Sequence, residues 1–392
     1  MDAISAKTIA VEEPRARWFP IGLGIGSVML LGLLYAAAQI VFLGHHAFAT
    51  TKEVPWGLLI INYAWCISTI GLSYIASFGV VLGLKQFDAI VRRALYLALL
   101  IVVAGMIGVF ADLAAPQHAM YLMLTTHFTG AMGVVATSIN LYVMLIALEL
   151  YLVIKRGHHD ILVKVVAILA FGAAVLVHSY HGAIFGMQYM RSFWFGNYYP
   201  IYFLLSALFT SSAVIIFVTV TTYKVMGMQM STKLQESLRF IGKMLVYLLV
   251  VALFFLYWKM VPSHYAHKKE ALKLLTGDFA FNFWICEVLM TYMLPIAIIV
   301  YARFRDLNKM AVAGLLVAVG LYFGRYDFIV VGQLVPYLAY VPFDSDLGGS
   351  LTSAFASYSP SLTEILFGIG QLGFIWTGYV LGMRYLPLTK DE

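Results

Sequence analysis

Apolar stretches of roughly 20 residues recur from residue 18 to residue 386, and any fold must first find a place for them. Each is long enough to cross a bilayer core as a helix. Each is also too long and too evenly apolar to be a barrel strand. Backbone polar groups must be satisfied inside hydrocarbon, so the expected fold is all-α, a polytopic membrane bundle of about ten transmembrane helices. The windows run approximately 18–43, 56–83, 92–113, 127–154, 161–187, 200–223, 240–261, 279–302, 310–331 and 361–384, numbered spans 1 to 10. Residues 1–17 are expected to be a short cytoplasmic segment, 18–384 the transmembrane domain and 385–392 a short cytoplasmic tail. The first run shows no small-residue cleavage site before polar sequence resumes, so span 1 reads as a retained helix, not a removed signal.

Composition closes other classes. The chain is 62% hydrophobic and 11% charged, whereas soluble proteins carry about a quarter charged residues. A soluble multidomain enzyme is excluded. The net charge of +6 sits in short loops between apolar spans, a pattern that orients a membrane protein. The partner this implies is the lipid bilayer, not nucleic acid. Cys66 and Cys286 are the only cysteines. Two thiols inside apolar spans build neither an iron–sulfur cluster nor a zinc site, and they read as packing residues.

Charge also sets orientation. Of 25 Lys and Arg residues, 18 fall in the N-terminus, the connections after spans 2, 4, 6 and 8, and the C-terminus. The positive-inside bias puts both termini in the cytoplasm of a cell's inner (cytoplasmic) membrane, which an even number of spans satisfies. The longest connection, near 332–360, then lies outside and is a candidate docking surface.

Depth follows from about 1.5 Å of rise per residue. His45 and His46 close span 1 at the outer face, Asp112 ends span 3 there, and His178 and His181 lie in the outer third of span 5. Glu287 is about two turns inward in span 8, Arg325 and Asp327 are near the outer end of span 9, and Glu364 opens span 10. Ionisable groups are expensive in lipid and mark sites by default. Their crowding in one leaflet suits a quinone head group, which needs hydrogen-bond donors and a proton acceptor beside an apolar slot for its tail. The quinone-binding candidates are His45, Asp112, His178 and Arg325. Asn140, Glu149 and Glu287 are candidates for stepping a proton partway across. Each also has a plain structural reading. Asp112 can cap a helix, His181 can be a packed core histidine, Arg325 and Asp327 can pair to brace the bundle, and Asn140 can bond between helices.

Several short motifs, taken in order, resemble the NrfD/PsrC family of polysulfide reductase-type membrane subunits. Asp112-Leu-Ala-Ala-Pro116 is similar to the family's Asp-Leu-Gly-Arg-Pro element, without its Arg. Arg191-Ser-Phe-Trp194 with Pro200-Ile-Tyr-Phe-Leu-Leu-Ser-Ala207 resembles the entry to span 6. Gly277-Asp-Phe-Ala-Phe-Asn-Phe-Trp284 with Glu287 and Pro295 resembles span 8. Gly324-Arg-Tyr-Asp-Phe-Ile-Val-Val-Gly-Gln-Leu-Val-Pro336 and Tyr358-Ser-Pro-Ser-Leu-Thr-Glu364 complete the series. Val177-His-Ser-Tyr-His-Gly182 is similar to the DsrP-like branch of sulfur-compound metabolism.

The resemblance implies two four-helix bundles, spans 2–5 and 6–9, related by a pseudo-repeat. It implies menaquinone or another quinone as substrate, and no haem or metal in this subunit. It implies a ferredoxin-like iron–sulfur subunit at the outer face among the other subunits of a membrane oxidoreductase complex. Proton translocation is a possible accompaniment.

Two rival readings remain. A b-type cytochrome needs histidines at matched depth on two facing helices, whereas His178 and His181 share one helix and His45, His46 and His127 lie near span ends. A secondary transporter places its site on broken helices at the midplane, which here is expected to be poor in charge and in breaks.

Overall fold

A computed structural model describes residues 17–124, 128–335 and 356–389. The expected N-terminal segment, most of the expected docking loop, the last residues of the tail and His127 therefore lie outside the described residues. Among the described residues there is no strand, and ten helices are long and apolar enough to cross a membrane. Spans 1 to 5 are Trp18–Ala47, Leu58–Leu82, Lys85–Asp112, Ala131–Arg156 and Ile161–Gly186. Spans 6 to 10 are Tyr198–Met226, Thr232–Tyr265, Asn282–Tyr301, Leu307–Leu334 and Leu362–Tyr385. The all-α expectation and its ten spans hold.

Span 7 outruns its apolar window. It covers Thr232–Tyr265, and its added first turns carry Lys233, Glu236 and Arg239. Such residues are good helix formers that a hydropathy window discards. Ser231 starts the helix by accepting a hydrogen bond from the Leu234 N–H.

Spans 2, 3, 4 and 5 close a ring in which each packs on the next and span 5 returns to span 2. Spans 6, 7, 8 and 9 close a second ring in the same chain order. Contacts of span 2 with spans 6 and 9, and of span 5 with span 6, join the rings. These are the two four-helix bundles. Spans 1 and 10 pair with each other, and span 10 lies against spans 2 and 3. The buried residues of span 1's α-helix are Gly22, Gly26, Gly32 and Ala36, a small-residue stripe that lets the two backbones approach closely.

Span 2 is not one helix. It runs as Leu58–Thr69 and then Leu72–Leu82. At the joint, a Cβ on Gly71 would lie 2.5 Å from the Ala207 carbonyl oxygen of span 6, so only glycine permits this crossing. The carbonyls around the joint meet side chains. His178 Nε2 lies 2.9 Å from the Ile67 oxygen, Ser211 donates to Thr69 at 3.0 Å, and the Tyr142 hydroxyl donates to Ile70 at 3.0 Å. Hydrocarbon supplies no substitute for such partners. Span 2 thus carries one break in a midplane expected to be poor in them. Ile70-Gly71-Leu72 is as apolar as its flanks, so hydropathy does not register the break.

The connection between spans 5 and 6 folds over the C-terminal end of span 9. Arg191 donates to the carbonyls of Gln333 and Val335 at 2.9 and 2.8 Å, serving groups that the helix end leaves without intrahelical partners. The Trp194 indole donates to the Phe328 carbonyl at 2.9 Å and stacks on Trp56. Gln333 holds Trp56 through both its backbone N–H and its carbonyl, each at 3.0 Å. These motif residues fasten the two bundles together at the end where span 9 finishes.

Candidate functional site

Span 8 opens as a π-helix, Asn282–Met293, and continues as the α-helix Leu294–Tyr301. Pro295 gives no N–H to the preceding turn and its ring crowds the carbonyl four residues back, so the helix opens to the wider register. That stretch turns Glu287 inward against span 9, where it is buried and interacts electrostatically with Arg325.

Arg325 is 1% exposed. Its Nε and Nη2 donate to Ser68 Oγ of span 2 at 3.1 and 2.7 Å, and Nη2 also donates to Ser206 Oγ of span 6 at 2.5 Å. The guanidinium lies 4.1 Å from the centre of the Phe203 ring. Asp327, two residues on, is turned roughly 200° around the helix and accepts from Asn282 Nδ2 at 3.3 Å. Among the described residues no ion pair joins it to Arg325. The bracing pair allowed by the sequence does not form, because residues at i and i+2 do not share a helix face.

This predicts weak coupling. A double-mutant cycle with Arg325→Met and Asp327→Asn, read by thermal unfolding in detergent, should give a coupling energy below about 1 kcal/mol, against about 3–5 kcal/mol for breaking a buried pair. A coupling of pair magnitude would refute the separate roles.

A cavity of about 30 Å³ lies here, its lining including Tyr198, Tyr199, Tyr202, Lys259, Glu287 and Arg325. It has room for about two waters and none for a quinone ring. The Tyr202 and Tyr292 hydroxyls are 2.6 Å apart, and Lys259 donates to the Phe193 carbonyl at 2.5 Å beneath the Tyr199 ring. A group of this size and polarity can hold water and a proton. The tyrosines and Lys259 escape the sequence reading, although the Tyr198/Tyr202 spacing of one helical turn is a visible signal.

At the end of the bundle where spans 1 and 3 finish and span 10 begins, a second network centres on Glu364, which is fully buried. One carboxylate oxygen accepts from the Leu58 N–H at 3.2 Å and the Tyr358 hydroxyl at 2.7 Å. The other accepts from the N–H groups of Ala49 and Ser361 at 3.1 and 2.7 Å. Ser361 and Glu364 form a capping box that starts span 10. Burial, and next the Glu364 carboxylate, push the Tyr358 hydroxyl well above the usual tyrosine range, so it stays a donor. Asp112 interacts electrostatically with His45 and with Glu364. It is partly buried and His45 is exposed. An apolar groove of about 310 Å³ runs between spans 3 and 4, lined by Val103, Met106, Ile107, Phe110, Ile139, Asn140 and Val143.

Asp112 thus interacts electrostatically with His45 and Glu364, and His178 lies elsewhere. His178 is wholly buried inside the first bundle, with the Tyr74 hydroxyl and the Ala174 oxygen each 2.7 Å from Nδ1 and the Ile67 oxygen beyond Nε2. His181 meets the Tyr63 hydroxyl and the Val177 carbonyl. Arg325 sits at the joint between the bundles, and Glu287 lies in the second. Glu149 is buried in the first bundle with no hydrogen-bond partner for either oxygen among the described residues. Asn140 faces the groove and donates back to the Ala136 carbonyl at 2.7 Å. The three proton-path candidates occupy three separate places.

A selenate reductase subunit of Mesobacillus selenatarsenatis is 24% identical to this chain over 389 residues, covering 88% of each protein. The Hdr-like menaquinol oxidoreductase integral membrane subunit of Archaeoglobus fulgidus is 23% identical over 380 residues, covering 93% of this chain and 95% of that one. The polysulphide reductase NrfD family profile matches residues 47–337, which takes in both bundles together with Arg191, Glu287 and Arg325. With its ten spans, its two joined rings and a match across most of its length, the chain belongs to the polysulphide reductase NrfD family.

Proposed function

We propose that this chain is the quinone-reactive membrane subunit of a multi-subunit oxidoreductase, exchanging electrons between the quinone pool and an iron–sulfur partner. The observation that carries this reading is the apolar groove beside span 3, whose wall from Val103 to Phe110 leads along the helix to Asp112. Such a groove suits an isoprenoid tail, and a head group at its outer end meets a carboxylate and an imidazole. Oxidation of a quinol releases two electrons and two protons. Asp112 and His45 are the groups placed to accept the protons, and the electrons pass to a ferredoxin-like subunit docked at the same face.

The names of the two relatives support the setting, one being a menaquinol oxidoreductase subunit and the other belonging to a selenate reductase. Menaquinone or another quinone is the substrate in this reading, and no haem or metal in this subunit is needed for the electron step. The positive-inside bias supports an inner (cytoplasmic) membrane with both termini in the cytoplasm. The Glu287–Arg325 group, with its water-sized cavity, supports a share in proton movement. A place in sulfur-compound metabolism rests on the segment Val177 to Gly182 alone.

Asp112→Asn tests the assignment in the complete complex. Quinol-linked turnover should fall about 100-fold or more, while the subunits still co-purify in wild-type proportion. Turnover within twofold of wild type in a fully assembled complex would overturn Asp112 as the head-group acceptor.

A further inference from the structure

We propose that Asp88, His158 and His159 form a binding site for a divalent transition-metal ion of the zinc type, clamping two loops at the end of the first bundle remote from Asp112. Asp88 lies in the turn Lys85–Ile90 that leads from span 2 into span 3. His158 and His159 lie in the short turn between spans 4 and 5. Gly157, at φ +81°, reverses the chain there so that consecutive imidazoles reach the same carboxylate.

The distances fit a metal site. Asp88 Oδ2 is 3.5 Å from His158 Nε2 and 3.7 Å from His159 Nε2. Both exceed the usual hydrogen-bond range of about 2.7–3.2 Å. They lie close to the edge of a tetrahedron, about 3.3 Å, around an ion bound at about 2.0–2.1 Å. One ligand atom from each of the three residues falls within 4.8 Å of the others. A small inward rotation of the rings completes three corners.

Burial and charge point the same way. Asp88 is 5% exposed, and its Oδ1 has no hydrogen-bond partner among the described residues. A carboxylate at that depth calls for a cation. His158 is buried and His159 exposed, so an ion can enter from solvent and keep a water at the fourth position. Two imidazoles and a carboxylate, with no thiolate, suit zinc, nickel or copper rather than an iron–sulfur cluster. Neutral imidazole is the metal-binding form. Counting cysteines passes over such a group, because only the packing of the first bundle brings the His-His doublet to the Asp.

The test uses the full chain purified in detergent through a tag without histidines, with zinc chloride as the probe. One zinc per chain should bind, cobalt should give a tetrahedral absorption band, and zinc should raise the unfolding temperature. His159→Ala, at an exposed position that folding does not need, should weaken zinc binding by about 100-fold or more and abolish the thermal shift. Asp88→Asn should do the same in protein that still elutes as a single species. His118→Ala, an exposed histidine near the outer end of span 3, should change neither. Zinc binding no tighter in wild type than in His159→Ala, or an equal loss in His118→Ala, would overturn the site. Because binding is read directly, this result is independent of whether Asp112 serves a quinone.

Discussion

Glu364→Ala should leave little folded subunit in the membrane. Its carboxylate accepts from three backbone N–H groups, those of Ala49, Leu58 and Ser361, and from the Tyr358 hydroxyl. Alanine accepts from none of them. The Leu58 N–H keeps the Tyr358 oxygen at 2.7 Å, but the other three donors are stranded in a partly buried site. At about 1–3 kcal/mol for each of the three stranded donors, the expected loss is about 3–9 kcal/mol, comparable with the whole stability of many domains. Glu364→Gln should fall between, because its amide turns one acceptor into a donor facing donors. Thermal unfolding of purified protein and steady-state levels in membranes both read this. An Ala variant within about 1 kcal/mol of wild type would show that the network is not holding spans 1, 2 and 10 together.

Gly71→Val should be severely damaging although it changes one residue of an apolar segment. The added Cβ would meet the Ala207 carbonyl at 2.5 Å and Ser211 Oγ at 2.8 Å. The neighbour is backbone, which yields little, so the expected cost exceeds the roughly 1–3 kcal/mol of ordinary overpacking. It should also pull the Ser211 hydroxyl from Thr69. The subunit should fail to accumulate, whereas Gly83→Val, where a Cβ meets nothing within 4 Å but φ is +62°, should cost only backbone strain. Equal accumulation of the two variants would contradict the tight crossing of spans 2 and 6.

Much of this is legible in the sequence. Hydropathy places all ten spans, since a lipid solvent writes itself into composition over roughly 20 residues at a time. Alternation of the spans puts His45, Asp112 and Glu364 at one face, and the Ser-Leu-Thr-Glu run at 361–364 announces the start of span 10. Lateral position is not legible. Arg325 and Asp327 have similar depth but different helix faces. His178 shares a leaflet with Asp112, yet it is enclosed against Tyr74 and Ile67 of span 2 rather than set beside the groove. Depth is a one-dimensional coordinate, whereas a site needs three. The Asp88–His158–His159 group is hidden for the same reason, its members separated by two complete spans.

The joint in span 2 bears on how this chain is made. Its Thr69 carbonyl is served by Ser211 from the second half, and Gly71 is shaped to receive Ala207 from that half. A ribosome finishing span 5 has therefore released a first half whose central seam awaits residues not yet synthesised. Halves cut in the connection between spans 5 and 6 are not modules to be exchanged between relatives at will. They should survive only when produced together, each acting as the other's missing wall.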